Sequence, residues 1–189
     1  SCLVGSDLCI RDRGKVEYLE IEKKNPVNLF ANIYGIGYVK AEKLVKKGYT
    51  NIEDLRKNQD KELKDKQKLG LQYYEDILER IPRQEIDEYN ERFKSVFESL
   101  NSPSSSYEIV GSYRRGAKMS GDIDVIITDL NNDKSVFEKF IDKLLDEKII
   151  IHKLTDGKTK TLVITKINDK PARRVDFLYS PPDEYHFAT

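Results

Sequence analysis

Two aspartates, Asp122 and Asp124, stand at alternate positions directly after Gly121, in a stretch that continues with β-branched apolar residues. Because alternate residues of a strand project from the same face, both carboxylates would lie side by side. Converging carboxylates are costly unless a divalent cation neutralises them, and Mg²⁺ prefers carboxylate and phosphate oxygens. The spacing therefore predicts a Mg²⁺ site, although a D-x-D pair by itself is more often structural.

A loop suited to phosphate precedes these aspartates and reads Gly-Ser-Tyr-Arg-Arg-Gly at residues 111–116. Gly111 and Ser112 are expected to end a strand and open a short helix, which would aim backbone N–H groups and the serine hydroxyl at an anion. Arg115 adds a guanidinium group whose geometry suits phosphate oxygens. This arrangement predicts a triphosphate site beside the metal site.

A third carboxylate, Asp176, lies in an apolar stretch about fifty residues further on. A lone charge would be expensive to bury there, whereas three carboxylates complete a site for two metal ions that contact attacking and leaving oxygens. Arg174 falls on the same strand face as Asp176 and is placed to orient it. In this order, the loop and the three aspartates predict metal-dependent phosphoryl transfer.

Composition limits the classes of protein that could hold such a site. The 189 residues suggest one or two small domains, and 38% apolar residues suffice for modest cores. The 33 basic and 33 acidic residues cancel overall, but residues 37–70 hold ten Lys or Arg against six acidic residues. The only cysteines, Cys2 and Cys9, exclude a disulfide framework and a zinc ligand set. Without a long apolar run or a secretion leader, we expect a soluble protein.

The elements that must position these groups change character along the chain. Helical patterns fill the front and strand patterns appear only in the back, so we predict an α+β fold with a boundary near Pro82. In the second predicted helix, Val39, Leu44 and Val45 are expected to face inward. The patterns predict helices over residues 26–34, 38–47, 52–56, 67–81, 83–100 and 135–147, and strands over 107–111, 123–128, 161–166 and 173–179.

The chain resembles the nucleotidyltransferase superfamily, and more closely the family X DNA polymerases. The segments GSYRRGAKMSGDIDVIIT, DGKTKTLVI and RRVDFLYSPPDEY occur in family order, and the front half matches through NPVNLFANIYGIGYVKAEKLVKKGYTNIEDLRK. The resemblance implies a helix-hairpin-helix subdomain followed by a nucleotidyltransferase palm with a mixed or antiparallel sheet. It also implies template-directed, gap-filling transfer of a nucleotide from dNTP to a primer 3′-hydroxyl in DNA repair, by a two-metal mechanism.

The resemblance assigns roles to particular residues. Asp122, Asp124 and Asp176 are expected to bind two Mg²⁺ ions, and Asp176 is also expected to take the proton of the primer hydroxyl. The residues expected to hold the incoming dNTP are Arg80, Gly111, Ser112, Arg115 and Gly121. Those expected to contact DNA are Gly35, Gly37, Lys40, Lys43, Lys160 and Arg174. Backbone carbonyls expected to bind K⁺ or Na⁺ belong to Ala31, Ile33 and Ile36.

We expect a fragment of a longer polymerase, active with low efficiency and without lyase activity. The expected parts are a disordered leader at 1–13, the end of a lyase domain at 14–24, the helix-hairpin-helix subdomain at 25–81, the catalytic palm at 82–181 and the start of a nascent-base-pair subdomain at 182–189.

Further expectations follow from the resemblance. The short stretch 167–172 between the last two strands favours a template-directed enzyme over a template-independent relative. We expect a monomer that binds gapped or primer-template DNA and no membrane, nuclear in a eukaryote and otherwise cytoplasmic. Two alternatives stay open, namely a DNA-binding module with a catalytically incompetent palm and another kind of nucleotidyltransferase. An ordinary corner between two helices also stays open for Gly35-Ile36-Gly37.

Overall fold

A computed structural model describes residues 25–185 of the chain. The chain divides into two compact units, with the boundary between Tyr74 and Glu75. The domain limits given by the sequence patterns place a boundary between residues 81 and 82, and those limits stay a prediction. Expectations for residues 1–24 and 186–189 lie outside the described residues.

Short helices build the first unit. They are α1 (Pro26–Ala31), α2 (Tyr38–Lys46), α3 (Ile52–Lys57), α4 (Gln59–Glu62) and α5 (Asp65–Gln72). The Asn25 side chain begins α1 by accepting a hydrogen bond from the backbone N–H of Val27, and Asn51 caps α3 in the same way through Asp54. The apolar faces of these helices meet in a core that contains Phe30, Leu44, Leu55 and Leu71.

Three helical predictions are wrong in detail. The first helix ends at Ala31, because Asn32 already forms its C-terminal cap. The helix predicted over 67–81 is instead α5, a five-residue helix α6 (Tyr74–Leu78) and a two-residue strand β1 (Ile81–Pro82). Val39 is 70% exposed, because it lies two positions before the buried Ala41 and so about 200° away around α2.

The second unit packs two helices against a five-stranded sheet. The helices are α7 (Arg83–Glu98) and α8 (Ser135–Asp146), and the strands that follow β1 are β2 (Ser105–Val110), β3 (Met119–Ser120), β4 (Ile123–Asp129), β5 (Ile150–Lys153), β6 (Lys160–Thr165) and β7 (Arg173–Tyr179). The strand order is β2-β4-β7-β6-β5. Only the β4–β7 pair of this sheet is parallel, which confirms the predicted α+β class with a mixed sheet.

Both helices cover the same face of that sheet. Phe93 of α7, Phe140 of α8 and Phe177 of β7 form a mutual aromatic cluster with ring centroids 5.7–6.2 Å apart. Because side chains alternate along a strand, the neighbours of Phe177 point to the opposite face. That second face carries Asp176, and it is the face on which the polar groups of the site gather.

Short strands escape detection from sequence, because two to four residues are too few to show alternation. The β1–β3 ladder pairs Ile81 with Ser120 and Pro82 with Met119, and β5 adds an edge strand to the main sheet. Among the helices formed by residues 25–185, none combines the length and the apolar character needed to cross a membrane.

Candidate active site

The register of two strands brings the three aspartates together. Asp124 on β4 is the direct partner of Asp176 on the parallel strand β7. Asp122 lies one residue before β4, so it falls on the same side as Asp124. One carboxylate oxygen from each of the three lies within 4.8 Å of the other two, and all three residues are half-buried.

Burial and mutual repulsion raise the pKa values of two of the clustered aspartates. Burial, followed by the charges of Asp122 and Asp176, raises the pKa of Asp124 to about 6, although Arg174 and Lys160 oppose the rise. Burial and the charge of Asp176 also raise the pKa of Asp122. Since a divalent cation would remove both penalties, the three carboxylates fit a hard metal ion.

One of the three carboxylates has a fixed cationic partner. The Arg174 guanidinium donates to both oxygens of Asp176, through Nε at 3.2 Å and through the second terminal nitrogen at 3.3 Å. Both side chains lie on the same face of β7, as the alternation of the strand requires. A two-point contact of this kind fixes the plane of the Asp176 carboxylate.

Glycine at position 111 is required by its closeness to the aspartate cluster. Gly111 has a φ of +73°, and a Cβ atom placed on it would lie 2.8 Å from the Oδ2 atom of Asp124. A side chain would therefore be strained by the backbone and would also displace the carboxylate. The loop backbone and the aspartate cluster form one continuous surface at this point.

The rest of the loop forms hydrogen-bonded turns across residues 111–116 instead of the short helix we predicted. Gly116, with a φ of +86°, leaves the helical region and prevents the turns from continuing as a helix. The Ser112 hydroxyl donates to the hydroxyl of Ser120 on β3 at 2.7 Å. Ser120 is almost fully buried, and sequence reasoning missed it because β3 has only two residues.

A cleft of about 330 Å³ opens beside these groups. Its polar lining comes from Gly111, Arg115, Asp124, Lys160 and Asp176, all of them predicted site residues. Ser112 and Gly121 are the direct chain neighbours of Gly111 and Asp122. Arg80, in contrast, is exposed just before β1 and is not among the residues that line the cleft.

The glycine turn predicted to contact DNA lies in the first unit, between α1 and α2. Gly35 has a φ of +84°, and its carbonyl accepts a hydrogen bond of 2.9 Å from the Gln67 side chain. Gly37 has no such constraint, since its φ is −88° and a Cβ atom there would meet nothing within 4 Å. The Ile33 carbonyl accepts a 3.1 Å hydrogen bond from the N–H of Ile36.

The remaining groups predicted for this turn are also placed by the structure. Ile33 and Ile36 are buried through their side chains, while Ala31 is half-buried at the end of α1. Lys40 is half-buried and Lys43 is exposed on α2. Binding of a monovalent ion or of DNA by these residues stays a prediction.

Two family models match the sequence. Residues 80–182 match the DNA polymerase beta palm, and residues 28–78 match the fingers domain of DNA polymerase lambda. Together the two matches include the loop at 111–116, the three aspartates and the glycine turn.

Curated proteins give the same result. The chain is 35% identical over 187 residues to DNA polymerase lambda of Arabidopsis thaliana, which covers 92% of the chain and 35% of that protein. It is 29% identical over 168 residues to DNA polymerase lambda of Rattus norvegicus, covering 84% of the chain and 29% of that protein. It is 28% identical over 113 residues to DNA nucleotidylexotransferase of Xenopus laevis, covering 60% of the chain and 22% of that protein.

The chain spans about a third or less of the length of these relatives. The palm match alone extends over more than half of the chain, and it contains every residue of the aspartate cluster and of the phosphate loop. The chain therefore belongs to the family X DNA polymerases, with their palm at residues 80–182.

Proposed function

We propose that this chain carries the active site of a template-directed DNA polymerase that fills gaps during repair. The reaction joins a nucleotide from dNTP to the 3′-hydroxyl of a primer and releases pyrophosphate. The observation that carries the proposal is the cluster of Asp122, Asp124 and Asp176, whose oxygens lie within 4.8 Å of one another. A loop with donors for phosphate closes one side of that cluster at Gly111.

The three aspartates are the groups that would hold the metal, and we propose two Mg²⁺ ions. When bound, such ions stabilise the charge on the attacking and leaving oxygens. Neither Asp122 nor Asp124 is neutralised by an ion pair among residues 25–185, and their raised pKa values show the penalty that a cation would relieve. Asp176 already has Arg174 as a partner, so its orientation does not depend on the ions.

The chain's own residues divide the remaining work. Asp176, held in one plane by Arg174, is positioned to accept the proton of the primer hydroxyl. Arg115, which lines the cleft, is placed to contact the triphosphate oxygens, and the Ser112 hydroxyl and the backbone of Gly111 and Gly121 border the same region. Arg80 is a further proposed phosphate contact, which would require its exposed side chain to turn towards the nucleotide.

DNA binding is proposed at the glycine turn of the first unit, used as a helix-hairpin-helix. The backbone N–H groups around Gly35 and Gly37 would meet a DNA phosphate, and the nearby Lys40 and Lys43 would add attraction that is independent of sequence. Carbonyls proposed to share K⁺ or Na⁺ with that phosphate belong to Ala31, Ile33 and Ile36. In the second unit, Lys160 at the edge of the cleft is the proposed contact to the template strand.

The connection between β6 and β7 favours the template-directed reaction. It consists only of residues 166–172, whereas template-independent family members resemble one another in having a long loop there. Two contacts also hold the connection in place: Lys170 forms an ion pair with Glu88, and the N–H of Ala172 donates to Asp76 at 3.1 Å. We propose a monomeric repair enzyme that acts on gapped or primer-template DNA, nuclear in a eukaryotic cell and otherwise cytoplasmic.

The first test is single-nucleotide incorporation on a duplex with a one-nucleotide gap, with and without Mg²⁺. Asp176→Ala is expected to reduce incorporation at least about a hundredfold while leaving the Kd for gapped DNA within about twofold. Asp169→Ala, which removes an exposed carboxylate from the loop before β7, is the matched control and should keep full activity. An equal loss of DNA binding and incorporation in Asp176→Ala would overturn the role of Asp176.

A second test separates the two glycines of the turn. Gly35→Ala is expected to weaken DNA binding and to flatten its dependence on salt, because Gly35 has a positive φ and a Cβ atom would approach Cγ of Gln67 to 3.2 Å. Gly37→Ala has room for its methyl group and serves as the control. If both variants bind DNA with the wild-type salt slope, the turn does not contact the phosphate backbone.

A further inference from the structure

One arginine outside the proposed phosphate contacts is bonded to the phosphate loop at several points. Arg83 is the first residue of α7, and its Nη1 atom donates to the carbonyl of Tyr113 at 2.7 Å and to the carbonyl of Ala117 at 3.4 Å. Its backbone N–H donates to the carbonyl of Lys118 at 2.9 Å. A single residue therefore reaches both the middle of the loop and the segment that follows it.

These bonds supplement the turn's own backbone hydrogen bonds, which include one from the N–H of Ala117 to the carbonyl of Ser112 at 3.0 Å. Within the turn, the N–H of Arg115 reaches the carbonyl of Gly111 only at 3.3 Å, and the N–H of Gly116 reaches the carbonyl of Tyr113 at 3.0 Å. Gly111 and Gly116 both have positive φ, a conformation that few other residues adopt, so the shape of the turn depends on these two positions. A guanidinium that bridges two carbonyls across this turn restricts the relative position of its two ends.

A second contact fixes the guanidinium itself. Its central carbon lies 4.2 Å from the centroid of the Tyr113 ring, in a cation–π arrangement. The Tyr113 hydroxyl in turn donates to the Asp87 carboxylate at 2.5 Å, one helical turn further along α7. We refer to Arg83, Tyr113 and Asp87 as the loop clasp. The clasp attaches the loop to the first turn of α7 through side chain and backbone.

We infer that Arg83 is a positioning residue for the incoming nucleotide, acting through the loop that carries Ser112 and Arg115. The inference rests on the proposed function, since it assumes that this loop receives a triphosphate. Arg83 is not proposed as a phosphate ligand itself, because its Nη1 atom already donates to the carbonyls of Tyr113 and Ala117. Its effect is to hold the donors of the loop in the geometry that the phosphate oxygens require before they arrive.

A nearby arginine shows what a purely structural role looks like. Arg173 at the start of β7 is almost fully buried, and its Nε atom donates to the buried carboxylate of Glu85 at 2.6 Å. That pair connects α7 to the sheet, and the other hydrogen bonds of the Arg173 guanidinium end on the carbonyls of Glu79 and Arg80, outside the loop at 111–116. Arg83 is only half-buried, and the hydrogen bonds donated by its Nη1 atom and its backbone N–H end on the loop or on residues 117 and 118 directly after it.

The test measures steady-state incorporation on one-nucleotide-gapped DNA with Mg²⁺ for the wild type, Arg83→Ala, Arg83→Lys and the control Arg92→Ala. Arg92 is an exposed arginine on the same helix, so replacing it by alanine removes one positive charge, as Arg83→Ala does, but leaves the contacts of the loop in place. Arg83→Ala is expected to raise the KM for dNTP roughly tenfold to a hundredfold and to leave the Kd for DNA within about twofold. Arg92→Ala should match the wild type.

Arg83→Lys distinguishes a clasp from a simple attraction between charges, and it also covers the case in which Arg83→Ala fails to fold. A lysine keeps the positive charge and has donors for two carbonyls, but its ammonium group has no plane that could stack on the Tyr113 ring while those bonds are made. We expect its KM for dNTP to stay raised several-fold at wild-type thermal stability. A KM restored to the wild-type value would mean that charge alone matters, and it would overturn the inference.

A second measurement uses no turnover. Binding of dNTP to the protein with gapped DNA whose primer is dideoxy-terminated is expected to weaken in both Arg83 variants by the same factor as the KM. An unchanged dNTP affinity with a lowered melting temperature would reduce Arg83 to a structural residue and overturn the inference. If the wild type incorporates nucleotide and only the Arg83 effect is missing, the inference fails alone. If the wild type neither binds nor incorporates dNTP, the proposed function fails first.

Discussion

Strand β4 carries an aspartate near each end, and the two carboxylates lie in opposite surroundings. Asp129, at the C-terminal end, accepts hydrogen bonds from the hydroxyls of Ser104 and Ser105 at 2.6 and 2.7 Å and from the N–H groups of Asn131 and Asp133, both at 2.9 Å. These donors, led by Ser104, lower the pKa of Asp129 to about 2. The carboxylate is fully buried and fully satisfied.

Asp124, at the N-terminal end, lies beside two like charges that Arg174 and Lys160 only partly offset. Burial together with the Asp122 and Asp176 carboxylates raises its pKa to about 6, on the same strand where Asp129 titrates near 2. The Asp129 carboxylate, enclosed by donors, stabilises the fold, whereas Asp124 keeps a charge that its neighbours compensate only in part, as expected of a group that binds a ligand. The comparison teaches that residue type and strand position do not reveal the role of an acidic side chain, but its neighbours do.

The largest effect is expected from a substitution at the N-terminal end of β4. Asp124→Asn should reduce nucleotide incorporation at least about a hundredfold, because the amide supplies no charge to a cation. In the absence of metal it should raise the melting temperature by a few degrees, since it removes repulsion with Asp122 and Asp176. The measurements are gapped-duplex incorporation and thermal unfolding with a chelator present. A lowered melting temperature would show that the Asp124 carboxylate is structurally satisfied, and the contrast between the two ends would disappear.

The second largest effect is expected from a substitution at the C-terminal end of β4, where Asp129 lies. Asp129→Ala should lower the free energy of unfolding by about 3 kcal/mol, because the hydroxyls of Ser104 and Ser105 and two backbone N–H groups lose a charged acceptor. Urea unfolding measures the loss, and incorporation per folded molecule should be unchanged. Asp133→Ala is the matched control, since this exposed carboxylate accepts only from Ser135 and should cost far less. Equal losses in the two variants would contradict the role assigned to Asp129.

The smallest effect is a difference in pH dependence between the two ends, measured without metal. The pKa of Asp129 is lowered from 3.8 to about 2, so its stabilisation is complete above pH 3.8 and is lost as the pH falls towards 2. The pKa of Asp124 is raised from 3.8 to about 6, so the folded state binds the proton more tightly and gains stability as the pH falls through 6 towards 3.8.

Single substitutions separate the two contributions to that curve. Asp124→Asn should remove the gain between pH 6 and 4, and Asp129→Asn should flatten the loss below pH 4. Denaturant unfolding at several pH values gives both slopes. The contrast is contradicted if Asp124→Asn changes the pH dependence of stability below pH 4, or if Asp129→Asn changes it between pH 6 and 4.

The sequence was enough to predict the aspartate cluster at the N-terminal end of β4, but not the structural role of Asp129 at its C-terminal end. Alternation along a strand was enough to place Asp122 and Asp124 on one face, because that rule depends only on backbone geometry. Asp176 was predicted because a lone charge is costly in an apolar strand, and the pairing of β4 with β7 brings it to the other two. The role of Asp129 depends on Ser104, directly before β2, and on Ser105, the first residue of β2, and both meet Asp129 only after the strands pair. No local pattern in the sequence records such a contact.

The loop clasp escaped for a related reason. Arg83 and Tyr113 are thirty residues apart, and the two-residue strands β1 and β3 that bring their segments together are too short to show alternation. The error at Val39 has another cause. Its apolar side chain was assigned to the buried stripe of α2, whereas the spacing of Ala41 and Leu44 places that stripe on the other side.

The parallel pairing of β4 with β7 also bears on the order in which the protein folds. Asp124 and Asp176 are neighbours across the ladder although about fifty residues separate them in the chain, and those residues form α8, β5 and β6. Parallel neighbours need such a crossover, and contacts between distant parts of a chain form slowly. During synthesis, Asp122 and Asp124 therefore leave the ribosome well before their third partner. The nascent chain can bring the three carboxylates together only when β7 has been made, so completion of the aspartate cluster is a late step in the formation of the palm.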